Sequence, residues 1–264
     1  MRETPPSNPF AGAGHFIRGF RLMVQPGIRR YVLAPLGINL ALFAGAIAAG
    51  AAAFAELVGW LQGMIPAWLD WLAWLLWPLF FAGALLVTFY AFSLVANLIA
   101  APFMGPLAAA VERHLTGSGP PPEADGGGVG TLLREAGADV AAELHKMGYF
   151  ALRAAPLLLL SVIPLLNTLA PLLWLIFGAW TLAQEYLDPP LGNYGLRFRE
   201  QRPVLARHRW TVLGFGAAAT VATTIPGLNF LVLPAAVAGA TSLATARMAG
   251  ELTTATPEAH PAAS

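Results

Sequence analysis

Two apolar runs, residues 31–55 and 71–103, contain no Lys, Arg, Asp or Glu. At about 1.5 Å per residue, each as a helix outreaches the roughly 30 Å hydrocarbon core of a bilayer. The chain is therefore expected to be an all-α integral membrane protein with two long transmembrane helices, about 28–57 and 70–112. Composition agrees, because 57% hydrophobic and 11% charged residues leave too little polar surface to cover a soluble globule. The first residues are polar and Pro-rich and the first run begins late, so a cleavable signal peptide is not expected. With no cysteine, disulfides, thiolate metal sites and thiol catalysis are excluded together.

The basic residues sort by position. Arg2, Arg18, Arg21, Arg29 and Arg30 precede the first run, and the connection from Glu56 to Asp70 holds none. Arg113, Arg134, Lys146 and Arg153 follow the second run, five arginines lie between Arg197 and Arg209, and Arg247 follows the last apolar stretch. By the positive-inside rule both termini and the central loop are expected on the cytoplasmic side, with the 56–70 connection outside.

The remaining apolar material forms two regions, 150–184 and 210–246, each divided by one motif: Ile163-Pro164-Leu165-Leu166-Asn167 and Ile225-Pro226-Gly227-Leu228-Asn229. The arms on either side, 150–163, 168–183, 210–225 and 229–243, hold 14 to 16 residues. As helices they reach only about 21 to 24 Å, short of a full crossing. Proline lacks an amide proton and disfavours helix before it, so each motif is expected to break the chain. Asn167 and Asn229 then stand where they would cap the returning helix. Two re-entrant helical hairpins or two pairs of thin spans both return the chain to its starting side; we read hairpins. The motif by itself is also ordinary turn chemistry, but matched arms around each copy are the pattern of an internal structural repeat.

Outside the bilayer, residues 9–24 place Phe10, Ala13, Phe16, Ile17 and Phe20 at helical spacing opposite Arg18 and Arg21, which suits an interfacial helix. Residues 131–147 repeat the design, with Leu133, Val140, Leu144 and Met147 against Arg134, Asp139, Glu143 and Lys146. Residues 116–130 read as a flexible linker. Residues 1–8 and 247–264 read as disordered ends, flanking a single membrane domain over 9–246. No phosphate-cradling Gly-rich loop, His-Glu-x-x-His or Gly-x-Ser-x-Gly is present. The five histidines are scattered, so no metal site, cofactor or nucleic-acid partner is expected.

"VQPGIRRYVLAP", residues 24–35, is more informative. Pro26-Gly27 interrupts the amphipathic helix just before the first long run. The amides of Gly27, Ile28 and Arg29 are expected at a helix N-terminus, where unpaired N–H groups favour an anion. Arg29 and Arg30 add guanidiniums suited to a tetrahedral oxyanion. Two arginines at the cytoplasmic end of a first span are equally a plain topological anchor.

"NLIAAPFMGPLAAAVER", residues 97–113, and "AWTLAQEYLDPPLGNYGLRFREQR", residues 179–202, resemble motifs of the CysZ sulfate permease family. In the second, Tyr186, Asp188, Pro190, Asn193, Phe198 and Arg202 match a Tyr-x-Asp-x-Pro-x-x-Asn-x-x-x-x-Phe-x-x-x-Arg pattern. "PFAGAGHFIRGF" and "PGIRRYVLAPLGINL" are similar to the family's N-terminus and the start of its first helix. The resemblance runs from about residue 8 to 246 in the family's order. It implies two long transmembrane helices, two pairs of half-membrane helices, a homo-oligomer, and sulfate uptake that feeds cysteine synthesis. It also carries sulfate binding over to Gly27, Ile28, Arg29 and Arg30, with Ile28 in place of the family's Leu. Met104, Pro189 and Tyr194 depart from the family's residues, which puts a polar role at those positions in doubt.

Under that reading a site made only of N–H donors accepts the sulfate dianion and offers no acceptor to a protonated phosphate. Asn167 and Asn229 would line the thin part of the membrane, while Glu112, Arg113, Asp188, Asn193 and Arg202 are further pathway candidates. Proton dependence would act through Glu112, Glu185 or Asp188, since the two long runs hold no buried relay. Two rival classes stay open: a structural or regulatory membrane protein that binds an anion, and a lipid-processing enzyme using Asp188 and Asn193. The expected location is a bacterial inner membrane, with the lipid bilayer and sulfate as partners.

Overall fold

The computed structural model describes residues 7–62, 71–121, 129–225 and 227–255. Among these the chain is helical throughout, as expected for an all-α protein. The helices are α1 Pro9–Leu22, α2 Arg29–Gln62, α3 Trp71–Thr116, α4 Val129–Val162, α5 Ala170–Gly192, α6 Phe198–Arg207, α7 Arg209–Thr223, α8 Asn229–Arg247 and α9 Ala249–Ala255. The chain divides into two compact units, residues 30–103 and the rest. Residues 122–128 of the linker expected over 116–130, like residues 1–6 and 256–264, lie outside the described residues.

In the 30–103 unit, the stretch Arg29–Trp60 that α2 contributes is long and apolar enough to cross a membrane. Its apolar side chains point outward: Leu33, Leu40, Leu42 and Ile47 are all exposed. A water-soluble helix hides such residues; a lipid-covered one leaves them out. Phe54 anchors α2 to α3, stacked on Phe80 with ring centroids 4.5 Å apart and edge-on to Trp77 at 5.3 Å.

The larger unit is built around a core of Phe16, Leu187, Leu205, Val212, Phe215, Leu243 and Met248. Asn8 caps α1 by accepting from the Phe10 amide at 2.9 Å, with Pro9 at the first helical position. α1 then lies against α7 and α8. The buried face of α1 is not the aromatic stripe alone. Gly12, Phe16, Gly19 and Leu22 face the protein, whereas Phe10 and Ile17 remain exposed. The reason is close approach: a Cβ on Gly19 would sit 1.9 Å from the Ala235 carbonyl oxygen.

The chain breaks at both Ile-Pro motifs. α4 ends at Val162, a short 3₁₀ turn covers Leu166–Thr168, and α5 starts at Ala170; α7 ends at Thr223 and α8 starts at Asn229. The third residue of each copy has positive φ, 69° at Leu165 and 81° at Gly227. The asparagines do not act as expected. Asn167 sits inside the 3₁₀ turn and gives its amide to the Ile163 carbonyl at 3.0 Å, and Leu169 stands at the α5 N-cap without a side-chain bond. Asn229 is already the first residue of α8, after Leu228 at the N-cap. Asn167 thus stands two residues before the α5 N-cap, and Asn229 one residue after the α8 N-cap.

At the C-terminal end, the chain expected to be disordered from 247 continues as α9. Met248 and Leu252 are buried, and Glu251 pairs with Arg207 at 2.9 Å and lies 3.0 Å from His208 Nε2. These contacts offset the entropy of ordering the segment.

Candidate functional site

The turn before α2 is tight. Gly27 has φ 85°, and the amides of Ile28 and Arg29 both donate to the Gln25 carbonyl at 3.1 Å. This corrects the expectation of three free amides, because two are spent closing the turn. Ile28 is buried, anchoring the turn, while Arg29 is exposed. Arg30, also exposed, donates from Nη2 to the Tyr31 hydroxyl at 2.8 Å and lies over that ring at 4.7 Å. The segment therefore offers an anion guanidinium donors above all.

A second group forms where α4, α5 and the 193–201 segment meet. Lys146 is only 6% exposed and its Nζ reaches Glu185 at 3.2 Å, Asp188 at 3.5 Å and Glu143 at 3.8 Å. Burial opposes its charge, but the three carboxylates outweigh that and hold the ammonium above its ordinary pKa. Gln201 Nε2 donates to the other Asp188 oxygen at 2.6 Å and to the Leu196 carbonyl at 2.9 Å. Asp188 is thus fixed from both sides. Beside it, burial and the neighbouring Glu185 push the Tyr186 phenol up to about 12.

Asn193 donates to the Gly105 carbonyl at 3.0 Å, and the Tyr194 hydroxyl donates to Glu112. Together they tie the loop after α5 to the end of α3. Burial first, and the bond to Glu112 next, raise the Tyr194 pKa well above the usual phenol range. Tyr194 therefore has a polar role despite its departure from the family's residue. Met104 is buried.

The remaining candidates lie apart from this group. Arg202 stacks over Tyr149 at 4.1 Å, on the same ring that Arg153 covers at 4.4 Å. Arg113 is exposed and its side chain lies against Gly119. Asn167 is exposed in the 3₁₀ turn, and the Asn229 side chain lies outside the described residues. Among the described residues, no ion pair joins Arg113 or Arg202 to Glu112 or Asp188.

Lys146, Gln201, Tyr149 and Arg153 were not singled out by sequence reasoning. Their signal was present, since Lys146 belongs to the polar face of an amphipathic stretch. Lys146 turns inward here, whereas Glu143, Leu144 and Met147 are exposed. Asn39 was also missed; it is buried in α2, with its Nδ2 on the Pro35 carbonyl at 3.0 Å and its Oδ1 unpartnered among the described residues.

A helical chain with a membrane-length apolar helix whose apolar side chains face outward has the layout of a membrane protein. Its sequence matches the Sulfate transporter CysZ/Etoposide-induced protein 2.4 family over residues 15–234, and the chain belongs to that family. A relative from Pseudomonas fluorescens (strain Pf0-1), described as "Sulfate transporter CysZ", is 39% identical over 236 residues, which is 89% of this chain and 93% of the relative. The chain is accordingly a membrane protein.

Proposed function

We propose that this protein is a sulfate permease that carries sulfate inward across a bacterial inner membrane, in supply of cysteine biosynthesis. Family membership across most of the chain, with a collinear relative named as a sulfate transporter, carries the reading. Sulfate is held at Gly27, Ile28, Arg29 and Arg30, where the exposed guanidiniums of Arg29 and Arg30 supply charge and paired N–H donors. Weak, exposed binding suits transport, because the ion must also leave.

The two interrupted regions are re-entrant hairpins beside the path. α7, with 15 residues, reaches only about 22 Å, and the shared left-handed residue in both breaks supports a true structural repeat. Both termini are cytoplasmic on the arginine distribution, and the protein works as a homo-oligomer. The Lys146–Asp188 and Tyr194–Glu112 contacts brace the cytoplasmic side, while Arg113, Asn167, Asn193 and Asn229 remain pathway positions. If uptake is proton-dependent, Glu112, Glu185 and Asp188 are the groups through which it acts. Radiolabelled sulfate uptake into proteoliposomes tests the function. Uptake no greater than in empty vesicles contradicts it, and a lipid-conversion product would point to the enzyme instead.

A further inference from the structure

Lys146 has three carboxylates, and Arg207 has Glu251. Arg153 and Arg202 differ. Neither forms an ion pair or donates a hydrogen bond to any described residue, yet both are held on one ring, that of Tyr149, with Cζ at 4.4 Å and 4.1 Å from its centroid. Acids on the same helices and on α5 have partners of their own: Glu143, Glu185 and Asp188 face Lys146, and Glu200 accepts from the Arg197 amide at 2.8 Å. The ring is itself fixed, with Phe198 at 5.3 Å and Phe150 at 5.4 Å, both edge-on. A guanidinium stacked on a tyrosine keeps its five N–H donors in plane and free at the edge. Two such groups, from the different helices α4 and α6, meet at this one ring, and guanidinium forks are the donors that suit a tetrahedral oxyanion.

The position of this cluster identifies the source of the oxyanion. Arg153 is the last charged residue of α4; the rest of the helix, Ala154–Val162, is uncharged, and Leu158, Leu159 and Val162 are exposed. Leu152 beside it is 76% exposed, and Leu144 and Met147 on the preceding turns are also exposed. Tyr149 thus stands where a charged helix becomes a lipid-covered one, the level at which tyrosine rings and snorkelling arginines meet headgroups. We propose that Arg153, Tyr149 and Arg202 bind the phosphate of an anionic phospholipid headgroup, separately from the transported ion. The bound lipid completes the charge balance of the α4–α6 face.

Native mass spectrometry of the delipidated full-length protein, titrated with phosphatidylglycerol and with phosphatidylcholine, tests this, with sulfate affinity measured in parallel. Phosphatidylglycerol should be retained over phosphatidylcholine. The Arg153→Gln/Arg202→Gln variant should lose on the order of tenfold in phosphatidylglycerol affinity, with sulfate affinity unchanged, and Arg199→Gln should change neither. Should the double Gln variant fail to fold, Arg153→Lys/Arg202→Lys serves, since it keeps the charge and loses the forks; intermediate lipid affinity is expected. Lipid affinity unchanged in both double variants, or lowered equally by Arg199→Gln, overturns the site. Loss of sulfate binding with lipid binding intact assigns the cluster to the free anion and overturns the lipid assignment. Because sulfate flux is read separately, failure here leaves the transport reading to its own test.

Discussion

Leu165 is the only non-glycine residue with positive φ among the described residues, and it occupies the place that Gly227 holds in the second Ile-Pro-x-Leu-Asn copy. A branched side chain there costs roughly 1 to 3 kcal/mol, set against the entropy that glycine would add to the unfolded chain. Leu165→Gly should therefore stabilise by about 1 kcal/mol, whereas Gly227→Leu should destabilise by about 1 to 2 kcal/mol. Thermal unfolding in one detergent compares them, and equal losses in both variants would contradict a strained turn. Lys146 sets a second residue-scale expectation. Removing it as Lys146→Met leaves carboxylates uncompensated, and because these are 41% to 63% exposed the loss should be only about 2 kcal/mol. Its folded-state pKa is raised, so that stabilisation is fully present below the ordinary lysine pKa and disappears as pH rises through the higher folded value. The gap in Tm between wild type and Lys146→Met should thus stay constant through neutral pH and close only in strong alkali. That lysine shows a limit of pattern reading. Helical spacing separates two faces of 131–147, but it does not say which one meets protein when the surroundings are lipid.

Among the elements, α1 depends most on close approach. Gly19→Leu should undock it from α8, since a Cβ there meets the Ala235 carbonyl oxygen. The expected loss is about 2 kcal/mol or more, read by protease access to the N-terminal segment. His15 gives this docking a pH dependence. Its Nδ1 lies 3.0 Å from the Ser242 hydroxyl, and burial, then Arg247 and Arg18, hold its pKa below the ordinary value. A depressed folded-state pKa means the contribution is complete above about pH 6.5 and is lost as pH falls through the folded value. Protease access to α1 should therefore rise in mild acid in wild type and lose that acid limb in His15→Gln. The helical nature of residues 9–24 was legible from spacing. The docked face was not, because Gly12 and Gly19 carry no hydrophobic signal, and their value lies in what they omit. The chain breaks were legible at Pro164 and Pro226, because missing amide donors are a property of the residue. The asparagine caps were not: a 3₁₀ turn sets Asn167 before the α5 N-cap, and α8 takes Leu228 as its N-cap instead of Asn229.

At the scale of the whole molecule, the uncharged runs announced a membrane protein and the collinear motifs announced its family. The network near Asp188 was less accessible, because it joins residues from α4, α5 and α6 that no spacing rule connects. The absence of cysteine makes the topology directly testable. Leu165→Cys and Ile225→Cys should each resist a membrane-impermeant thiol reagent applied from outside, as tips of hairpins that stop within the bilayer; ready external labelling at both would mean full spans. The central claim is that sulfate crosses through this protein and is gathered by the arginines that open α2. Sulfate uptake and sulfate affinity, measured on the same preparation of wild type and Arg29→Ala/Arg30→Ala in proteoliposomes, test it most directly. The account predicts uptake well above empty vesicles for wild type, and an affinity lowered by at least about tenfold in the variant. Wild-type uptake at the empty-vesicle level, or a variant with unchanged sulfate affinity, would contradict it.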